Sequence, residues 1–175
     1  MTNTIYTIGH SNHPLEKFLE LLEEHAIEVL VDVRSQPFSR YVPHFNKPEL
    51  EKALARKGIR YLFMGRELGG RPNDRSLYDE EGGVDYEKLS ETPSFREGLA
   101  RLIREAQKHR IACMCAEEDP AKCHRGWSIA PRLVKENIKV LHIRANRQTE
   151  TQQEIDPRLP KRKRREPDPQ ASLPF

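Results

Sequence analysis

The sequence predicts a single-domain α/β protein, with a largely parallel sheet of about five strands flanked by helices. Three observations carry this. Short apolar runs alternate along the chain with stretches whose apolar residues recur at helical spacing. The chain has 175 residues, 36% hydrophobic and 33% charged, enough for one core under a polar surface. The residue types that do chemistry collect just after the apolar runs, and parallel sheets bind ligands beyond the carboxyl ends of their strands.

The elements follow in order. "TIYTIGHS" is an apolar run ending in Gly9-His10-Ser11 and reads as a buried strand. In "PLEKFLELLEEHAI", Leu15, Phe18, Leu19, Leu22 and Ala26 share one helical face, and Pro14 suits the first turn. "EVLVDVRS" is a second strand, ending in Asp32, Arg34 and Ser35. "KPELEKALARKGI" is a helix with Gly58 at its carboxyl end, and "RYLFM" is the third strand. Residues 65–92 show little periodicity and hold five glycines, so they read as a long binding or lid loop. "PSFREGLARLIREAQKH" is amphipathic through Phe95, Leu99, Leu102, Ile103 and Ala106. "RIACMCA" is the fourth strand. A helix begins soon after Cys123, with Pro131 placed to kink or delay it. "KVLHI" is the fifth strand. The domain is expected to end at residue 146, and 147–175 to be a disordered, basic, Pro-rich tail. Only five of those 29 residues are apolar and five are Pro.

Net charge is +3, and its distribution is uneven. From Arg147 onward there are seven Lys/Arg and five Asp/Glu, leaving 23 and 22 in the first 146 residues. The positive excess lies in "KRKRR", Lys161 to Arg165, which would attract a phosphate backbone in a salt-dependent way or act only as a solubilising run. No run of about 18 apolar residues marks a membrane span, and "MTNTIYTIGH" lacks the pattern of a secretory leader. Three cysteines make an odd count. The expectation is a cytoplasmic protein with reduced thiols and no membrane partner. Oligomeric state is not legible.

The candidate site is the set that the strand ends bring to one edge. Cys115, Cys123 and His124, with His10 as a further donor, form a sulfur and nitrogen set suited to zinc or iron. Alternatively, Cys115 or Cys123 acts as a thiolate nucleophile, Cys123 lying near a helix start beside Arg125. A third reading makes both cysteines packing residues. Glu117 and His10 are candidate acid/base groups, and Asp32 a base or ligand. Ser11, Arg34, Ser35 and Arg125 are the candidate substrate-binding set, with the two arginines suited to a phosphate or carboxylate. Asp32 and Arg34 fit a structural ion network equally well. Cys113 lies deeper in its strand and reads as core. His13, His25, His44, His109 and His142 read as surface or packing residues. "ELGGRP" pairs glycines with Arg71 but matches no phosphate-loop pattern.

"YTIGHS", "DVRSQPFSR", "LGGR" and "CAEEDPAKCHR" together resemble the bacterial and archaeal family called domain of unknown function 488, over roughly residues 4–145. The resemblance implies an α/β fold with a motif-rich site and supplies no activity. A more distant likeness, to rhodanese and cysteine-phosphatase domains or a flavodoxin-like fold, implies an anion pocket at the same edge. Phosphatase loops place Arg six residues after Cys, whereas Arg125 lies ten after Cys115 and two after Cys123. The resulting expectation is an enzyme acting on an anionic, phosphate-bearing substrate, a nucleotide or nucleic acid. The alternative is a non-enzymatic module that holds nucleic acid or a partner through an anion pocket and the basic tail.

Overall fold

A computed structural model describes residues 3–160. The chain runs β1 (Thr4–Gly9), α1 (Leu15–Glu24), β2 (Val29–Asp32), α2 (Lys47–Arg56), β3 (Arg60–Phe63) and α3 (Gly65–Leu68). It continues through α4 (Tyr86–Glu91), α5 (Pro93–Lys108), β4 (Ile111–Cys115), α6 (Ala130–Lys135), β5 (Lys139–Ile143), β6 (Thr149–Thr151) and α7 (Gln152–Ile155). The strands form one sheet in the order β3-β2-β4-β1-β5-β6, parallel except for the last pair. This is the expected α/β architecture. The flavodoxin order is 2-1-3-4-5, so the topology differs from that part of the expectation.

The central strands read as continuous apolar runs because both faces are covered. Phe18, Leu22, Leu50 and Leu54 of α1 and α2 pack with Leu30, Ala112 and Met114 on one face. Phe95, Leu102 and Leu133 of α5 and α6 pack with Val31, Val33, Ile111 and Cys113 on the other. Cys113 is fully buried there, and burial pushes its thiol up to about 12. Local signals set the helix starts: Thr92 accepts from the Phe95 N–H ahead of Pro93, and Asp85 accepts from the Lys88 N–H.

Three expectations are corrected. The sheet has six strands, because β6 returns antiparallel along β5 with His142 opposite Glu150. Its sequence, Thr-Glu-Thr, is polar and too short to register as a strand. A capping box at Thr151 and Glu154, with Gln152 and Ile155 buried, then anchors α7. The expected boundary at residue 146 thus falls inside this hairpin, and ordered chain continues to Pro160; "KRKRR" lies outside the described residues. Residues 65–92 are not aperiodic throughout: they carry α3, a 3-10 turn at Arg75–Leu77, the Tyr78–Val84 bridge and α4. Each piece is shorter than two helical turns, below what periodicity reveals.

The topology positions the site. The chain leaves β1 for α1 on one face and leaves β4 for α6 on the other. The neighbouring strand ends therefore diverge and open a crevice. Gly9 pairs with Cys115 in register. The His10 N–H donates to the Cys115 carbonyl at 2.9 Å and the Ser11 N–H to Ala116 at 2.7 Å, which carries the pairing past the strand ends.

Candidate functional site

Two polar clusters sit at this edge. The first gathers Asp32, Arg34, Tyr61 and His10. Asp32 is fully buried at the end of β2. It accepts from Arg34 Nε at 3.0 Å, Arg34 Nη2 at 2.8 Å, the Arg34 N–H at 3.0 Å and the Tyr61 hydroxyl at 2.6 Å. Arg34 also donates through Nη2 to the Phe45 carbonyl at 2.8 Å and through Nη1 to His10 Nε2 at 3.3 Å. A guanidinium only donates, so His10 Nε2 accepts and Nδ1 carries the proton, which it gives to the Ser11 carbonyl at 2.8 Å. Burial, with Arg34 adding to it, lowers His10 to about 4, and its ring stacks on Phe45. Burial and the Asp32 charge push the Tyr61 phenol well up. Four of Arg34's five N–H donors are engaged within the protein. Tyr61 was missed by sequence; the available signal was a polar aromatic in a short strand that had to lie beside a buried Asp.

The second cluster is Cys115, Cys123 and His124, with Glu117 at its rim. Cys115 closes β4. Cys123 and His124 precede a π-helical turn at Arg125–Ile129 that leads into α6, a distortion frequent at functional sites. His124 Nε2 lies 3.1 Å from the Val33 carbonyl. A carbonyl only accepts, so Nε2 carries the proton and the Nδ1 lone pair faces inward. It points at Cys115 Sγ, 3.5 Å away, and Cys123 Sγ, 3.8 Å away, and all three atoms lie within 4.8 Å of one another. Tetrahedral ligands at zinc bond lengths stand about 3.6 Å apart, so these positions fit one ion. Gly70 sits against the ring: a Cβ there would come 2.7 Å from His124 Cγ. The "LGGR" segment thus packs its second glycine on a histidine. Burial pushes the Cys123 thiol well above its ordinary range. Glu117 Oε2 accepts from Cys115 Sγ at 3.3 Å. Partial burial raises the Glu117 carboxyl, but its own backbone N–H and the two thiols outweigh this and hold it below the ordinary range.

Arg125 and the two serines have other partners. Arg125 is fully buried and does not line the cleft described below. Its Nη1 donates to Thr7 Oγ1 at 3.0 Å, and its Nη2 to the carbonyls of Glu117 and Glu118. It therefore clamps the loop after β4, while Gly9 leaves room for that loop because any side chain there would overlap the Glu117 backbone. Ser35 Oγ accepts from the Arg71 N–H at 2.9 Å and holds the Gly-Gly segment in place. Ser11, at φ 45°, turns the chain away from β1. His142 is a packing residue, one of the two expected alternatives: it is buried between Thr7 and Gln152, at 2.6 and 2.8 Å, and burial lowers it to about 4.

A cleft of about 610 Å³ opens at the ends of β2, β3 and β4, with Ser35, Cys115, Glu117, Cys123 and His124 in its wall. Arg66, Arg71 and Lys122 also line it. None of these three side chains has a hydrogen-bond or carboxylate partner among the described residues, whereas Arg34, Arg60, Arg144 and Arg158 are all paired. Sequence reading singled out the buried arginines, passed over Arg66 and Lys122, and weighed Arg71 only within the weak "ELGGRP" pattern, because only folding shows which cations are left unpaired.

A family model described as "Domain of unknown function DUF488" matches residues 14–129, more than half of the chain. The chain belongs to the DUF488 family. No curated protein and no solved structure matches it. The DUF488 match takes in Asp32, Arg34, Cys115, Glu117, Cys123, His124 and Arg125. It is narrower than the stretch from 4 to 145 that the motifs suggested, beginning after His10 and Ser11 and ending before β5. The two clusters thus lie largely within the family region.

Proposed function

We propose that the protein is a metal-dependent enzyme. Cys115, Cys123 and His124 hold a zinc-type ion at the base of an open cleft, and the substrate is anionic and phosphate-bearing. The observation that carries this is the Val33 carbonyl bond to His124 Nε2. It fixes the tautomer and turns Nδ1 toward both sulfurs, the second-shell arrangement of metal-ligating histidines. A packing role for the cysteines gives no reason for three donor atoms to converge. A free nucleophile is disfavoured because Cys123 is 1% exposed and Cys115 5%.

Three protein ligands beside an open cleft is the pattern of catalytic zinc, where a structural site would close with a fourth. An ion so held lowers the pKa of a bound water to about 7. Glu117 stands at the rim, exposed on the cleft side, and is the group placed to take or return a proton. Arg66, Arg71 and Lys122 supply unpaired positive charge for the substrate's anionic group. Arg125 is a positioning residue that fixes the Glu117 backbone.

The test is the metal content of the full-length protein, purified without chelator. The expected result is one zinc per chain, lost in Cys115→Ser and in Cys123→Ser, with both thiols slow to alkylate until a chelator is added. A metal-free protein whose thiols alkylate equally fast with and without chelator would overturn the reading.

A further inference from the structure

We infer that the cleft takes a single-stranded nucleic acid, with bases stacking on Phe38 and Trp127 and phosphates running along Arg66, Arg71 and Lys122. This rests on the reading of the cleft as a substrate site. Two large apolar side chains are conspicuously exposed among the described residues: Phe38 at 62% and Tyr41 at 82%. Both lie in the segment between β2 and α2, and Phe38 lines the same cleft as Cys115 and His124. Leaving an aromatic ring in water beside a polar site gains nothing for folding. Arg40 lies over the Tyr41 ring at 5.4 Å, extending a cationic, aromatic surface outward from the cleft mouth.

Trp127 lines the cleft as well. Its indole Nε1 donates to the Ala121 carbonyl at 2.8 Å, so the ring is held in place with its polar atom already satisfied. It occupies the π-helical turn that follows His124, which ties its position to that of the ligand. Unpaired cations that follow a backbone, interleaved with aromatic faces, are the recognition set for single strands. A duplex offers no unstacked bases to such faces. The cleft also continues past Arg71 and Asn73 into a second open depression that holds Arg75 and Tyr78 beside Asp79 and Glu80.

The experiment measures fluorescence anisotropy of a labelled 12-nucleotide single strand of mixed sequence with the full-length protein at fixed salt. The comparisons are the same sequence as a duplex and mixed mononucleotides as competitors. Zinc content is measured on every sample. The proposal expects a single strand bound at least tenfold tighter than duplex, with mononucleotides competing poorly. Phe38→Ala should weaken binding about tenfold, in keeping with the loss of one stacked base, while leaving the salt dependence unchanged. Arg71→Ala should weaken binding and reduce the salt slope by about 1. Both side chains sit at the cleft surface, so unchanged melting curves will show that the variants are folded. Equal binding by wild type, Phe38→Ala and Arg71→Ala would assign any affinity to the basic run and overturn the proposal. Duplex binding as tight as single-strand binding, or full displacement by mononucleotide, would overturn it too. Zinc-free protein with Phe38-dependent strand binding sinks the metal reading alone. Zinc-loaded protein with Phe38-independent binding sinks this inference alone.

Discussion

The Asp32 cluster and the Cys115 cluster share one sheet edge and are built on opposite terms. In the first, a full negative and a full positive charge are buried, and nearly every donor and acceptor is used inside the protein. In the second, the His124 Nδ1 lone pair faces only two thiols, which are weak donors. The three donor atoms converge within 4.8 Å of one another, the arrangement that the proposed ion would use. The charged cluster looks more reactive in the sequence, yet in the fold its groups are largely paired with one another, and it is the near-neutral cluster to which the proposed function assigns the ion.

The contrast breaks most visibly at Asp32. Asp32→Ala leaves Arg34 buried without its carboxylate and is expected to cost about 3–5 kcal/mol, read as a fall in the urea midpoint. Cys115→Ser in metal-free protein should cost far less, since no charge is stranded.

The next effect is in pH. His142 is lowered to about 4 from an ordinary 6.5, so between these values the unfolded chain binds the proton and the folded one does not. Its contribution to stability is full above pH 6.5 and is lost as pH falls toward 4, by about 3 kcal/mol at 1.36 kcal/mol per unit. Between pH 7.5 and 4.5, His142→Asn should lose less stability than wild type by most of that amount. His10 titrates in the same direction, so the variant retains part of the slope.

A smaller effect sharpens the contrast from the metal side. Gly70→Ala places a methyl group against the His124 ring and is expected to weaken zinc binding 10- to 100-fold, the usual cost of disturbing ligand support. Competition with a chromophoric chelator measures it. The smallest effects belong to Arg66→Ala and Lys122→Ala. Having no side-chain partners among the described residues, they should leave stability within about 0.5 kcal/mol of wild type, in contrast to the buried Arg34.

Much of this was legible in the sequence. The first five strands and the larger helices followed from apolar runs alternating with amphipathic stretches, because a parallel sheet covered on both faces leaves that signature. Strand ends pointed to one edge, and Cys115, Cys123, His124 and Glu117 do meet there. Three kinds of information were not legible. β6 is polar, three residues long, and specified by its pairing with β5. Arg34 and Arg125 looked like anion binders, because a sequence does not show that Asp32, Phe45 and His10 take four of Arg34's donors, or that Thr7 and the carbonyls of Glu117 and Glu118 hold the terminal nitrogens of Arg125, whose Nε has no partner among the described residues. The role of Gly70 against His124, and the unpaired state of Arg66, Arg71 and Lys122, depend on contacts between segments far apart in the chain.

The most direct test of the central claim is X-ray absorption at the metal edge of the full-length protein as purified. The account predicts a first shell with two sulfurs at about 2.3 Å and one imidazole nitrogen at about 2.0–2.1 Å, completed by a light oxygen-type scatterer. A shell without sulfur, or no metal at the edge at all, would contradict it.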